Sequence, residues 1–196
     1  MLAPVRTVDP AAKPISLVEA KRHCRVDDDN RDNDPVLSSL IDTVTAHLDG
    51  YSGILGRALI TQTWRQDFPG FSDCMRLPLG DLISVTSVTY YDADNAQQTL
   101  ATSVYQGLSD ARGPFLTLKP DESWPTTYSR PDAVRVTWTA GYGATSDSVP
   151  AAIRHAALLL VGHWFDSRAA VRIGDSVTEL PFAVNALLTP YRRVGT

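Results

Sequence analysis

Three stretches decide how this chain is built: Ala133–Gly143, AVRVTWTAGYG; Val149–Arg168, VPAAIRHAALLLVGHWFDSR; and Leu180–Arg193, LPFAVNALLTPYRR. The first alternates apolar and polar residues, the period of a half-buried strand. The second predicts a long helix, with Pro150 in its first turn where a missing amide costs nothing. Ala156–Val161 is an unbroken apolar run that covers every direction around the helix axis. A one-sided amphipathic helix keeps an apolar stripe only a little over about 100° wide. Arg154, His155, His163, Asp166 and Arg168 do not join into a full polar face. Such a helix is either central in a multi-helix core or shared between its own core and a neighbouring subunit. Only two other clear helices are available to surround it, so sharing is the expectation, with Leu159, Trp164 and Phe165 as subunit-interface candidates. A closed homo-oligomer is the natural way to cover an apolar patch of that size.

Working outward, residues 1–14 carry three prolines and little periodicity, and read as an extended arm, either free or wrapped on a neighbour. Ser16-Leu17-Val18-Glu19 is a capping box, predicting a helix to about Arg25. Asn33 or Asp34 caps the next helix, with Pro35 in its first turn. Val36, Leu37, Leu40, Ile41, Val44, Leu48 and Tyr51 recur at helical spacing, taking that helix to about Gly53. The middle is rich in β-branched residues. Strands are expected at Ala58–Phe68, Leu82–Tyr91, Phe115–Leu118 and Ala133–Ala140, with a hairpin tip at residues 92–95. There is no repeated strand–helix alternation, which argues against a doubly wound parallel sheet. The expected fold class is therefore α+β. It comprises a small helical bundle, of two N-terminal helices plus the long C-terminal one, with an antiparallel β-rich portion inserted at about 58–140. The arm precedes a single domain over 15–193, whose end, 183–196, forms a separate C-terminal segment.

Composition narrows the function. The 196 residues include 43% hydrophobic and 20% charged residues, enough to bury a core without disulfides or structural metals. A net charge of −4 argues against a basic nucleic-acid clamp. It does not exclude a ring through which DNA passes. Cys24 and Cys74 form no CxxC pair and have no zinc spacing, and read as reduced thiols. No stretch approaches the roughly 20 apolar residues of a membrane span, and the N-terminus has no apolar run of signal-peptide length.

No arrangement of residues supports catalysis. Asp27–Asp32 superficially resembles a calcium loop, but an EF-hand register starting at Asp28 puts Asn33 where Gly is needed and Ser39 where Glu is needed. Starting at Asp27, Arg31 falls on a ligand position. The run reads instead as a solvated acidic turn. Gly141-Tyr142-Gly143 is half a dinucleotide fingerprint, with Ser146 in place of the third glycine and no second βαβ unit. His155 and His163 lie eight residues apart on the long helix, not at the i, i+4 spacing of a metal pair. No nucleophile elbow and no acid–base carboxylate pair is present. No catalytic residue, metal or cofactor is expected.

Taken in order, ISLVEAKRHCRVDDDNRDNDPVLSSLIDTV, LPLGDLISVTSVTYYDADN and the three stretches quoted at the outset make the chain resemble the head–tail connector (adaptor) proteins of long-tailed phages and gene transfer agents. The resemblance covers roughly residues 15–193. It implies a structural, non-enzymatic ring of twelve subunits at the head–tail junction of a virion or phage-like particle, assembled in the bacterial cytoplasm. Such a ring docks on the portal protein, extends the DNA channel without binding DNA specifically, and meets a stopper or tail-terminator protein. A mildly acidic chain suits a channel lining, because like charge keeps DNA from adhering. The resemblance also implies a portal-binding role for the C-terminal segment. Val184, Leu187, Leu188 and Tyr191 fit a short amphipathic helix stopped or kinked at Pro190, with Arg192 and Arg193 as charge partners. The same residues could equally cap their own subunit's core. Alternatives are a stopper or tail-completion protein at the same junction, or a small nucleotide-binding protein using the Gly141–Ser146 turn.

Overall fold

A computed structural model describes residues 2–167 and 182–193. Arg168, Leu180, Pro181 and residues 194–196, assigned above to the long helix and the C-terminal segment, lie outside the described residues. The fold is α+β. Its helices are α1 (Leu17–His23), α2 (Asp34–Leu48), α3 (Ala151–Asp166) and α4 (Phe182–Leu188). Its strands are β1 (Val5–Val8), β2 (Gln62–Phe68), β3 (Met75–Arg76), β4 (Leu82–Tyr91), β5 (Gln97–Thr99), β6 (Tyr105–Asp110), β7 (Gly113–Leu118) and β8 (Val134–Ala140). The chain packs as two compact units, each with buried apolar residues of its own. A sheet unit, residues 2–11 and Thr61–Gly141, interrupts a helical unit that holds Ala12–Ile60 and the described residues from Tyr142 onward.

Local chemistry starts the helical unit. Ser16 Oγ accepts from the Glu19 amide at 3.2 Å, while the Ser16 amide donates to Glu19 Oε2 at 2.8 Å. The capping box thus satisfies donors that the first turn would leave orphaned. Glu19 also pairs with Arg154, which ties α1 to α3. On α2, Asn33 occupies the cap position but makes no side-chain capping bond, and Pro35 lies in the first turn. Leu37, Ile41, Val44 and Leu48 are the buried face of α2. Val36 and Tyr51, placed above on the same stripe, are 41% and 51% exposed. Val36 falls off the stripe, and Tyr51 falls beyond the helix, which stops at Leu48. There Asp49, itself buried, accepts from the Leu59 amide at 2.7 Å and fixes the returning chain.

α3 buries Ile153, Ala156, Ala157, Leu160 and Val161, and it packs against α1, α2 and α4. The sequence shows only two other clear helices to surround it. The third is α4, whose Val184 and Leu188 join the same core with no exposed surface. An apolar helix with neighbours on three sides needs no second subunit to account for most of its surface.

In the sheet unit every pairing is antiparallel. One sheet has the order β1-β2-β8-β4-β5 and the other β3-β7-β6. β2 and β8 pair along their lengths, with Trp64 opposite Trp138. Trp138, Val136 and Val134 alternate inward along β8, the two-residue period read from the sequence. β2 starts at Gln62 and not at Ala58, because Leu59 and Ile60 belong to the helical core. Val5–Val8 of the expected arm is an edge strand paired with β2, so that stretch lies on its own sheet. The tip at residues 92–95 is held by Asp92 Oδ1, which accepts from the amides of Asp94 and Ala96 at 3.1 and 3.0 Å.

Candidate interface surfaces

The C-terminal segment has two sides. Its inner side is anchored to the helical unit. Val184 and Leu188 are fully buried, and Leu187 and Tyr191 pack half-buried at the core margin. Arg57 Nε donates to the Tyr191 carbonyl at 2.7 Å, and the Arg193 amide donates to the Leu55 carbonyl at 3.0 Å. The chain comes close enough there that Gly56, at φ 59°, faces the Arg193 Cβ. The outer side is open. Phe182 is 88% exposed, and Ala183, Ala186, Pro190 and Arg192 are exposed beside it. Arg192 Nη2 bonds Asn185 Oδ1 at 2.9 Å, which holds the guanidinium against the helix.

Of the residues assigned above to a portal contact, Arg192 is exposed and Leu187, Tyr191 and Arg193 are half-buried, while Val184 and Leu188 belong to their own subunit's core. Sequence reasoning passed over Phe182. The available signal was a large aromatic standing off the 184/187/188/191 stripe, a residue that its own core does not need. The proposed subunit-contact residues Leu159, Trp164 and Phe165 are all half-buried at the margin of the helical core. Trp164 meets His47 edge-on, with ring centroids 6.4 Å apart.

A second surface feature is a groove of about 460 Å³ lined by His23, Cys24, Arg25, Leu159, Gly162, His163 and Asp166. Gly162 brings the helix close there, since a Cβ would stand 3.1 Å from the His23 ring. His155 approaches His23 edge-on, with centroids 6.5 Å apart. Burial first, and His155 second, hold the His23 pKa below its ordinary 6.5, against an opposing pull from Asp166. Burial pushes the Cys24 thiol up, so Cys24 is a poor nucleophile. Because folding disfavours protonated His23, the unfolded chain binds more protons. Stability is therefore intact above pH 6.5 and falls as pH drops through 6.5 towards the lowered folded value. Thermal melts between pH 7.5 and pH 5 should show this loss, and His23→Gln should flatten it.

The motifs with chemical potential are occupied by the protein itself. A Cβ on Gly143 would lie 2.3 Å from Ser148 Oγ, and Asp147 pairs with Arg154 at 3.1 Å. The glycine loop is filled, and it carries a carboxylate where a phosphate would need donors. At the acidic turn, Lys21 Nζ donates to the carbonyls of Asp28 and Asn30 at 3.1 and 2.9 Å and forms an ion pair with the Asp34 carboxylate at 2.5 Å. Among the described residues no group of three His, Cys, Asp or Glu side chains is placed to hold a metal. No helix among them is long and apolar enough to cross a membrane.

No family model and no curated protein matches the sequence. Solved structures do match. A chain of the virion of a native gene transfer agent particle aligns with TM-score 0.78 at 21% identity, covering 100% of this chain and 97% of its own length. A chain in the neck of an empty gene transfer agent particle, computed with C6 symmetry, gives 0.78 at 20% identity with the same coverage. A chain in the neck of the native particle, computed with C12 symmetry, gives 0.70 at 22% identity, again over 100% and 97%. At these identities the likeness establishes a shared fold across both units.

Proposed function

We propose that this chain is a structural head–tail adaptor. Copies form a ring beneath the portal, extend the DNA channel, and link the head of a phage-like particle to a stopper or tail protein. The observation that carries the reading is the whole-length likeness to chains in particle necks computed with cyclic symmetry. A match over one unit alone would support only a common module. Supporting it further, the glycine loop and the acidic turn are both filled by the protein's own side chains. Ring contacts repeat around the symmetry axis, so each can be weak while the assembly is stable.

In this reading the portal contact uses the open side of the C-terminal segment. Phe182 is the apolar anchor, Ala183, Ala186 and Pro190 flank it, and Arg192 supplies charge. Exposed aromatics and arginines are the residue types that dominate interface energies. Leu159, Trp164 and Phe165 are proposed to contribute their remaining exposed surface to the neighbouring subunit. Mixing the protein with its portal and imaging the complex in negative stain tests the function. A ring on the portal is expected. Binding only to the downstream ring would make the protein a stopper instead. Phe182→Asp should weaken portal binding by about 2 kcal/mol or more, roughly thirtyfold, while leaving the melting temperature unchanged. Undiminished binding would move the portal contact elsewhere.

A further inference from the structure

Among the described residues, strand β6 is the one long sheet edge left unguarded. The two sheets end in β1 and β5, and in β3 and β6. β1 has four residues and lies between Pro4 and Pro10, β5 has three residues, and β3 has two. The first half of β4 also lacks a partner on its β5 side, because β5 pairs only Thr89–Tyr91. β4 is irregular there, with register shifts between Leu82 and Ser84 and between Val85 and Ser87. Short length, prolines and bulges are how sheets blunt their edges. β6 has none of these. Its six residues, YQGLSD, contain no Pro and no Lys, and they pair with β7 in unbroken register.

The direction of its free groups follows from the ladder. Ser109 stands opposite Pro114, whose carbonyl accepts from the Leu77 amide on the far side of β7. The 109–114 pair is therefore a non-hydrogen-bonded one. By antiparallel alternation Tyr105, Gly107 and Ser109 turn their N–H and C=O groups to the open side. Alongside runs a groove of about 460 Å³ between β6 and the start of β4. Gly107 permits its close walls, since a Cβ there would lie 3.1 Å from both Leu82 Cδ2 and Val85 Cγ2. Ile83 and Leu108 are 53% and 43% exposed at its rim, and no charged side chain lines it.

We infer that an extended segment of the adjacent copy adds to the open edge of β6, so that sheet hydrogen bonding continues from one subunit to the next around the ring. Two observations select a second copy as the occupant. Cyclic symmetry of the matched necks sets each copy against the next through a heterologous contact, one surface against a different one. The uncharged lining offers nothing to a basic or acidic peptide, while a main-chain ladder with apolar side-chain contacts is what strand addition supplies. This inference rests on the ring reading above.

The test compares hydrogen exchange in the free protein with that in the ring formed on portal. The Gly107 and Ser109 amides should slow by at least about tenfold in the ring. Ser109→Pro removes an edge donor that makes no bond within its own sheet. It should melt like the wild type and assemble about tenfold less readily. Leu108→Lys, a second edge variant, should do the same. Unchanged exchange of both amides in a well-formed ring overturns the inference and leaves the adaptor reading intact, as does normal assembly of both variants. Protection that appears only when a stopper protein is added also overturns it, because the occupant is then another protein. If the wild type forms no ring on portal, the adaptor reading fails and the inference falls with it.

Discussion

Leu188→Asp is expected to unfold the helical unit, whereas Phe182→Asp, six residues earlier on the same helix, leaves it folded. Leu188 has no exposed surface and joins the core formed by α2, α3 and the Leu55–Ile60 return. Truncating such a leucine to alanine costs about 2–5 kcal/mol through lost transfer energy and the cavity left behind. Aspartate adds the cost of burying a carboxylate with no partner, several kcal/mol more. The sum approaches the whole stability of an ordinary domain, about 5–15 kcal/mol. Circular dichroism and thermal melting should show loss of helix for Leu188→Asp and a native melt for Phe182→Asp. A native melt for Leu188→Asp would mean that α4 detaches at little cost. The proposed portal contact would then move to the Val184–Leu188 face.

That contrast marks how far the sequence could be read. A stripe at 184, 187, 188 and 191 announces a buried helix face but not what buries it, because side-chain spacing is the same for a subunit's own core and for a partner. The same ambiguity affected α3. Its all-round apolarity was legible, but the packing of α4 against it was not, because α4 was read as a docking element and not as a packing helix. Elements with strong local signals were legible. The Ser16–Glu19 cap, the Leu37–Leu48 face and the alternation of β8 all sit where their patterns put them. β3, β5 and β6 were not legible, because short or Gly- and Gln-bearing strands carry little hydrophobic alternation and are defined by their partners. The open edge of β6 was invisible for the same reason, since an edge is a property of the sheet. What holds the acidic turn, the Lys21 ammonium, was not legible, because it sits on the preceding helix.

Lys21→Met should destabilise the helical unit by about 2–4 kcal/mol, although it keeps most of the side chain's length. The Lys21 side chain is 5% exposed, and its ammonium meets two carbonyl oxygens and the Asp34 carboxylate. The two carbonyls accept hydrogen bonds from it, and the Asp34 carboxylate balances its charge as an ion pair. The Asp27–Asn33 turn therefore folds around a cation, and that cation is the protein's own lysine. Methionine fills the space but leaves Asp34 and the carbonyls of Asp28 and Asn30 facing an apolar group. Breaking a buried pair on one side costs about 3–5 kcal/mol, reduced here because the Asp34 side chain is 25% exposed and water can reach it. Asp34→Asn should cost less, about 1–2 kcal/mol, because it removes the paired charge but leaves the ammonium bonded to both carbonyls. The double variant should then lose less than the sum of the two, by at least about 1 kcal/mol in a urea-unfolding cycle. Strict additivity would show that the two side chains do not interact, and a Lys21→Met variant as stable as the wild type would show that the ammonium does not organise the turn. The exposed Arg22–Asp28 pair beside it predicts no comparable loss, since both its side chains are more than half exposed. The turn joins α1 to α2, so losing its internal cation frees the connection that sets α1 against the core, while the C-terminal segment keeps its own anchors at Arg57 and Leu55.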